Sequence, residues 1–459
     1  MEKENLPIAI IGGGPVGLAA AAHLKKGNHN FILFESGESV GANILSWGHV
    51  KVFSPWKYNI DKVAESFLVE AGVAIPNKEF VSTGKQIVTE YLQPLAQLDG
   101  IRENIHLNSN VIAIGKKGLD KMKTVDRDNR PFTIQVNEND KFRIYEAKAV
   151  IDATGTWKNP NPVGSGGVFA IGELENSTYF NYGMPDIAGA DIEKYANKTV
   201  LIVGGGHSAI GSVLALDDIR KKHPDTKIHW LLRKENISDV YGGQEADALE
   251  SRGALGIRIE KLVNSGAVEI HTPVHIHEIE NKGGKLTIIG TKNSETLLVE
   301  GIDAVVSSTG SRPDFGFLRE VRFDADAALE SVAQLAELID PNIHSCGTVR
   351  PHGEAELRQK EKGFYIVGMK SYGRAPTFLM ATGYEQIRSI VAYINGDFEG
   401  AKKVELDLPE TGVCSTNISG GDCCDVPVKA GAESCGCDSE TSNSSCSTPA
   451  KNAEATFCA

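Results

Sequence analysis

Two short apolar runs near the start of the chain flank a glycine-rich turn and an alanine-rich stretch. The first run, residues 7–11, fits a buried parallel strand, and the alanine-rich stretch has the composition of a helix. The second run, residues 31–34, also has the character of a strand. This order of strand, turn, helix and strand predicts a βαβ unit and an α/β fold.

The same pattern returns near the middle of the chain. A strand is predicted at 199–203, followed by three glycines, the start of a helix and a second strand at 227–232. Two other aliphatic runs, 149–153 and 303–308, each lead into a Thr-Gly pair, where small residues allow the chain to turn close to a ligand. The repeat predicts two similar domains.

Other periodicities fill the region between the repeated units. Residues 83–98 have the spacing of a helix with Thr83 as its N-cap, and residues 105–150 alternate between apolar and polar positions. The antiparallel strands predicted in the alternating segment are 111–114, 132–136 and 142–145.

A third glycine landmark at 363–369 precedes a helical pattern that runs through Ile394. This late return to strand and helix predicts a discontinuous first domain with the second domain inserted into it. The predicted boundaries are 1–160 and 315–405 for the first domain, 161–195 for a linker, 196–314 for the second domain and 406–459 for a tail.

The first glycine turn has the spacing Gly12-x-Gly14-x-x-Gly17, with Pro15 at the start of the helix. In a dinucleotide site the first glycine allows the tight turn, the second lets the backbone approach a pyrophosphate, and the third lets the helix pack on its strand. Glu35 is placed to bind a ribose hydroxyl. An unrelated tight turn is the alternative, but the flanking strands, helix and acid favour a dinucleotide site.

The second turn differs from the first at the strand that follows it. That strand ends on Arg233 and Lys234, which suit a 2′-phosphate, whereas an acid suits a bare ribose. The sequence thus predicts FAD in the first site and NADPH in the second, unless the two residues are merely an exposed basic pair. The other residues predicted to contact the cofactors are Gly204, Gly206, His207, Ser208, Ala209, Thr154, Gly155, Thr309, Gly310 and Gly368.

The length of 459 residues predicts two or three domains. A formal net charge of -13 argues against nucleic acid or an anionic membrane as the main partner. We find no export signal and no apolar segment long enough to span a bilayer, so we expect a soluble, cytoplasmic protein. The sequence leaves its oligomeric state open.

Cysteines are concentrated at the end of the chain. Of the 8 cysteines, only Cys346 precedes residue 414. The acidic segment 406–459 has almost no large apolar side chains, and we expect it to be disordered. Cys423, Cys424, Cys435 and Cys437 could bind a thiophilic ion such as zinc, copper(I), or trivalent arsenic or antimony. Alternatively, the tail tolerates cysteines without using them.

Trp47, His49 and Lys51 stand together just after the first nucleotide-binding unit. They are candidates to line a reaction pocket and to act in catalysis. A packed loop with a surface lysine is the alternative.

The two fingerprints, the two Thr-Gly strand ends and the late glycine strand together resemble the two-dinucleotide-binding flavoproteins. Over about residues 5–400 the chain is most similar to flavin-dependent monooxygenases, including the N-hydroxylating type. This resemblance implies two Rossmann-like domains of the three-layer ββα type. It also implies that NADPH reduces FAD, and that reduced flavin uses dioxygen to oxygenate nitrogen, sulfur or a metalloid in a small-molecule substrate. The tail resembles those of flavoproteins associated with arsenic resistance.

The family's linker motif is only partly present, with Ala170 at its phenylalanine place and Asn176 at its histidine place. Met369 stands where many flavin reductases carry an aspartate, and no closely spaced cysteine pair precedes residue 414. Two other functions stay open. One is an NADPH-dependent thiol or metalloid reductase that uses the tail cysteines, and the other is a non-enzymatic flavoprotein that sequesters metal.

Overall fold

The computed structural model describes residues 3–247, 249–342, 352–375 and 379–406. The strands in these residues are β1 (Ile8–Ile11), β2 (Phe31–Phe34), β3 (Lys51–Pro55), β4 (Val81–Thr83), β5 (Ile105–His106), β6 (Ser109–Lys116), β7 (Phe132–Glu138), β8 (Lys141–Ala147), β9 (Ala149–Asp152), β10 (Phe180–Tyr182), β11 (Thr199–Val203), β12 (Lys227–Leu231), β13 (Glu269–His271), β14 (His275–Lys282), β15 (Lys285–Lys292), β16 (Glu295–Ile302), β17 (Ala304–Ser307) and β18 (Phe364–Ile366).

The helices fall mainly after the parallel strands, as expected for an α/β fold. They are α1 (Pro15–Lys26), α2 (Ala42–Leu45), α3 (Lys62–Glu70), α4 (Gly84–Gln86), α5 (Gln93–Ala96), α6 (Ile192–Tyr195), α7 (His207–Arg220), α8 (Glu250–Asn264), α9 (Ala336–Ile339), α10 (Glu354–Leu357), α11 (Met380–Ile394) and α12 (Phe398–Lys402).

The first parallel sheet has the strand order β18-β9-β1-β2-β5. All four residues of β1 and all four of β9 are buried, as expected for central strands covered on both faces. Helices α1 and α11 supply residues to the same hydrophobic core, and so do β6 and β7 of an antiparallel sheet. The first sheet therefore lies between a helical layer and a second β layer.

The second parallel sheet has the order β10-β17-β11-β12-β13. Helices α7 and α8 contribute to the core on one face, whereas the antiparallel strands β14–β16 supply the apolar residues that pack on the other. The predicted fold class of two Rossmann-like units, each with three layers, is confirmed. No helix in the described residues is long and apolar enough to cross a membrane.

Strand β18 pairs with β9, so the first sheet takes strands from both sides of the second sheet along the chain. Strand β10 lies inside the segment 161–195, which the sequence analysis interprets as a linker, and it pairs with β17 at the edge of the second sheet. Its three residues are too few to show a strand pattern.

Local predictions in the first half are largely confirmed. Strands β6, β7 and β8 form the expected antiparallel sheet. Thr83 caps α4 and forms a reciprocal capping box with Gln86. The helical segment continues as a π-helical turn at Ile87–Leu92 and then as α5.

Candidate cofactor and active site

The first glycine turn is shaped by contacts that leave no room for side chains. A Cβ on Gly12, which has a φ of 103°, would lie 2.7 Å from the carbonyl oxygen of Ala153. A Cβ on Gly17 would lie 1.9 Å from the carbonyl oxygen of Gly12. These glycines let strand β1, the Thr-Gly turn after β9 and helix α1 approach closely.

Gly14 faces open space instead, because a Cβ there would meet nothing within 4 Å. It is the N-cap of α1, and Pro15 is the first helical residue. A helix N-terminus with unobstructed backbone is a suitable site for a pyrophosphate. The turn therefore fits the phosphate part of a dinucleotide.

Glu35 lies directly beside this turn and is held by backbone groups. Its Oε2 accepts a hydrogen bond of 2.7 Å from the N–H of Gly13, and its Oε1 accepts one of 2.7 Å from the N–H of Gly37. Oε1 also accepts a longer hydrogen bond of 3.4 Å from the Ser36 hydroxyl, whereas Oε2 keeps a second lone pair for another donor. The acid is thus fixed at the place where the sequence analysis expects a ribose.

The second glycine turn repeats the geometry of the first. A Cβ on Gly204 would lie 2.3 Å from the carbonyl oxygen of Ser308, whereas a Cβ on Gly206 would meet nothing within 4 Å. Gly206 is the N-cap of α7, which begins at His207. Ser208 follows at the cavity wall, and Ala209 is fully buried. This turn also fits a pyrophosphate.

The register of the two units corrects the comparison made from the sequence. The N–H of Gly12 donates to the carbonyl of Phe34, and the equivalent N–H of Gly204 donates to Leu231. The structural counterpart of Glu35 is therefore Leu232, not Arg233. Leu232 is only 1% exposed. Strand β12 ends at Leu231, but the next residue, Leu232, is apolar as well. The sequence alone therefore does not show which residue aligns with Glu35.

Arg233 and Lys234 follow this apolar position. Arg233 is exposed, and its Nη1 donates a 3.1 Å hydrogen bond to the carbonyl of Ser165. The Nζ of Lys234 donates a 2.6 Å hydrogen bond to the carbonyl of Asp239. Partial burial lowers the pKa of Lys234. Both side chains line the same cavity as the second glycine turn.

This cavity has a volume of about 1930 Å³ and extends well beyond the second glycine turn. Trp47, His49 and Lys51 line it, and so does Met369. The structure therefore brings the three candidate catalytic residues to the cavity that contains the second turn. His49 and Lys51 are exposed, while Trp47 is partly covered and its ring centroid lies 6.2 Å from that of Trp157.

The environment of His207 was not foreseen from the sequence. Its ring makes an edge-on contact with Phe53 at 5.2 Å between centroids. Arg252 lies near it and pairs with Asp247 through two hydrogen bonds of 2.6 and 2.8 Å. Burial lowers the pKa of His207, and the Arg252 guanidinium lowers it further. Both effects favour the neutral imidazole.

A buried ion pair was also missed. The Nζ of Lys370 donates hydrogen bonds of 2.7 Å to Asp152, 2.7 Å to the carbonyl of Asp314 and 3.2 Å to the hydroxyl of Thr154. Lys370 and Asp152 are both fully buried. They join the Thr-Gly turn after β9 to the turn at Gly368, although 218 residues separate them. Nothing in the local sequence marks such a long-range pair.

The two Thr-Gly ends are anchored differently. Thr154 donates from its hydroxyl to Asp152, whereas the hydroxyl of Thr309 donates to the carbonyl of Asn161. The carbonyl of Gly310 accepts from the N–H of Asn161. Gly155 and Gly310 both have positive φ angles of 68° and 82°, which glycine adopts without strain. Gly368 also has a positive φ, and its N–H donates to Gln386 at 2.7 Å.

The candidate metal ligands Cys423, Cys424, Cys435 and Cys437 lie outside the described residues, as does Cys346. The part of the chain that the structure describes contains no cysteine.

Two parallel-sheet units, each with a glycine turn at a helix N-terminus, define the class of oxidoreductases that bind two dinucleotides. The chain belongs to the pyridine nucleotide-disulphide oxidoreductase family, whose model matches residues 9–337. FAD and NAD(P)H are the cofactors typical of this family. The chain is thus an oxidoreductase dependent on FAD and NAD(P)H.

Individual relatives have different reactions in their names. The chain is 24% identical over 416 residues to ferredoxin–NADP reductase 1 of Shouchella clausii, covering 89% of this chain and 97% of the relative. Its fold resembles that of the bacillithiol disulfide reductase Bdr (YpdA) of Bacillus cereus, with a TM-score of 0.63 and 21% identity over 85% of this chain and 99% of the other. It also resembles the cadaverine monooxygenase DfoA of Erwinia amylovora, with a TM-score of 0.60 and 12% identity over 89% and 96% of the chains.

Proposed function

We propose that this protein is an NADPH- and FAD-dependent monooxygenase that oxygenates a soft nucleophilic atom, either nitrogen, sulfur or a metalloid, in a small molecule. The overall reaction consumes one NADPH, one proton and one dioxygen, and it yields NADP⁺, water and the oxygenated product. FAD supplies the redox chemistry when bound, since it accepts hydride from NADPH and in its reduced form reacts with dioxygen.

One observation carries this proposal. The cavity of about 1930 Å³ has room for a substrate beside a nicotinamide, and its lining contains no cysteine among the described residues. A flavin-dependent disulfide reductase exchanges electrons through a thiolate and a disulfide. The described part of the chain provides no such dithiol, and we propose dioxygen as the electron acceptor.

The residues of the two turns have separate proposed roles. Gly12, Gly14, Pro15 and Gly17 would hold the pyrophosphate of FAD at the N-terminus of α1, and Glu35 would bind its ribose. The residues proposed to complete the flavin site are Thr154, Gly155 and Gly368.

For NADPH, the turn at Gly204 and Gly206 would hold the pyrophosphate, with Arg233 and Lys234 on the 2′-phosphate. Leu232 supports this choice, because an apolar side chain replaces the carboxylate that would repel a phosphate. The other residues proposed for this site are His207, Ser208, Ala209, Thr309 and Gly310.

Trp47, His49 and Lys51 are proposed to act on the substrate side of the cavity. Their proposed role rests on position, since all three line the cavity wall. The domain division proposed from the sequence also stands as a proposal: residues 1–160 and 315–405 for FAD, and 196–314 for NADPH.

A second candidate is an NADPH-dependent thiol or metalloid reductase. The observation that favours it is that Leu406, the last described residue, lines the cavity. The chain continues from there into residues 407–459, which carry seven of the 8 cysteines. In this alternative, tail cysteines would accept electrons from the flavin and pass them to a disulfide or to a trivalent metalloid.

NADPH oxidation measured with and without dioxygen distinguishes the two functions. For a monooxygenase, turnover requires dioxygen, and the correct substrate increases the rate while reducing the yield of hydrogen peroxide. Turnover that continues without dioxygen when a disulfide or an arsenical is supplied would contradict the monooxygenase and support the reductase. The matched control is Cys423→Ser with Cys424→Ser, which should leave the oxygen-dependent rate unchanged.

A further inference from the structure

Three side chains with metal-binding chemistry meet at the edge of the second sheet, outside the cavity. His229 on β12 pairs in register with Glu269 on the edge strand β13, and His271 lies two residues further along β13. Residues two apart on a strand project from the same face of a sheet. Hence His229, Glu269 and His271 are presented together.

The ligand atoms of this cluster lie within one coordination sphere. Nδ1 of His229 and Nε2 of His271 are 3.1 Å apart. Oxygens of Glu269 lie 3.6 Å from the first nitrogen and 3.5 Å from the second. Two nitrogens bound at 2.0–2.1 Å to a tetrahedral ion are about 3.4 Å apart. The observed separation therefore needs to increase by only a few tenths of an ångström, and the rings also need to turn so that both lone pairs, which now point at each other, face the same ion.

The charge state of the rings also suits a metal. Burial lowers the pKa of both imidazoles, which favours the neutral form that coordinates a cation. Lys227 and Lys292 lie near enough to lower these pKa values further, and they would also weaken cation binding. The Glu269 carboxylate offsets part of this repulsion. The side chain of Glu269 is 65% exposed, so water can reach the site.

Without a metal, the short contact between the rings requires one proton. One of the two nitrogens carries the hydrogen and donates it to the other, since two bare lone pairs would repel. The rings lie edge to edge with planes inclined by only 7° and centroids 5.4 Å apart, and this single shared proton holds them close. A divalent ion could replace it and bond to both nitrogens at once.

We propose that His229, Glu269 and His271 form a binding site for a divalent transition ion of the zinc type, with water completing the coordination on the exposed side. Two imidazoles and one carboxylate are a ligand set found around zinc. The site joins β12 to the edge strand β13. It is independent of the proposed reaction, because none of the three residues lines the cavity.

Calorimetric titration with zinc chloride tests the site in the full-length protein. Cysteine thiols are first alkylated with iodoacetamide, so that they do not compete, and bound metal is removed with a chelator. We expect one saturable equivalent of zinc in the wild-type chain. His271→Asn and His229→Asn should each weaken it at least about tenfold, because loss of even an outer partner of a metal ligand weakens binding by 10–100-fold.

His277→Asn is the matched control, since His277 is exposed on the neighbouring strand β14 and is not part of the cluster. It should bind zinc like the wild type. If circular dichroism shows that either histidine variant misfolds, Glu269→Gln tests the site instead. The side chain of Glu269 is largely exposed, so this variant should fold, and we expect it to bind zinc more weakly than the wild type. No zinc binding by the wild type, or equal binding by wild type and the cluster variants, would overturn the proposal.

Discussion

The two glycine turns have nearly the same backbone and different side chains. Gly14 and Gly206 cap their helices with φ and ψ of -82° and -172° in the first unit and -91° and 175° in the second. Gly12 and Gly204 both have positive φ angles and both approach the opposite strand end closely. The same backbone geometry, which we propose binds a pyrophosphate, is therefore present in both units.

The side chains around this shared backbone differ at two places. Glu35 in the first unit corresponds to Leu232 in the second, and Pro15 corresponds to His207. A carboxylate favours a bare ribose, whereas its replacement by an apolar residue beside basic ones favours a 2′-phosphate. In the proposed assignment, backbone groups bind the pyrophosphate in both units, and the side chains determine which nucleotide each unit binds.

The largest effect should come from blocking one turn at a time. Gly14→Val adds a side chain where the backbone conformation permits one and where no protein atom would clash. The chain should therefore fold but bind no FAD, because the side chain obstructs the pyrophosphate. Visible absorbance of the purified protein measures this.

Gly206→Val is the matched control for that substitution. It should leave the protein yellow and instead raise the KM for NADPH. A yellow Gly14→Val protein, or a colourless Gly206→Val protein, would mean that the two turns have been assigned to the wrong cofactors.

The second prediction concerns the anchors of the two Thr-Gly ends. Lys370→Met should destabilise the protein by about 3–5 kcal/mol, because it leaves the fully buried Asp152 without its counter-ion. Asn161→Ala should cost only about 1 kcal/mol, because it keeps the backbone contacts with Thr309 and Gly310 and removes only the neutral 3.0 Å hydrogen bond that Asn161 Nδ2 donates to the carbonyl of Thr309. Urea unfolding measures both. Equal decreases in the free energy of unfolding would show that the buried ion pair contributes no more to stability than the neutral hydrogen bond.

The third prediction addresses nucleotide choice. Arg233→Ala combined with Lys234→Ala should reduce the preference for NADPH over NADH by about 100-fold. A charge-assisted hydrogen bond to the 2′-phosphate is worth about 1.5–3 kcal/mol, and we expect the double variant to lose only part of the sum of two such bonds. The ratio of kcat/KM for the two nucleotides measures it.

Lys261→Ala, at an exposed position on α8, controls for the loss of a surface charge in the same unit. It should leave the ratio unchanged. Leu232→Glu sharpens the test, because it restores the acid of the first unit and should shift the preference further towards NADH. An unchanged ratio in the double variant would show that the basic pair does not contact the nucleotide.

Sequence patterns were sufficient for features that depend on near neighbours. The glycine spacings, the repeated βαβ order and the Thr83 cap each depend on a few consecutive residues, and the structure contains all of them. The register at Leu232 could not be read in the same way. Two leucines in succession fit either end of the strand, and only the hydrogen bond from Gly204 fixes which one aligns with Glu35.

Tertiary contacts account for what the sequence did not reveal. The Lys370–Asp152 pair and the His229–Glu269–His271 cluster join residues that are far apart in the chain or on separate strands. No local periodicity signals such contacts, because their residue types are common on surfaces as well. The charge of a buried group depends in the same way on what the fold packs around it.

The smallest predicted effect is a pH dependence confined to the second unit, where His207 replaces Pro15. Burial and the Arg252 guanidinium lower the pKa of His207 in the folded chain. Around pH 6 the unfolded chain therefore binds more protons at this residue, and stability falls as the pH drops below about 6.5. His207→Asn should remove part of this fall between pH 7 and pH 5 and have little effect at pH 8, as measured by urea unfolding at each pH.

His277→Asn, on the exposed side of β14, controls for loss of an imidazole and should leave the wild-type pH profile intact. If His207→Asn shifts stability by the same amount at every pH, the pKa of His207 is the same in the folded and the unfolded chain, and the two units do not differ in their response to protons.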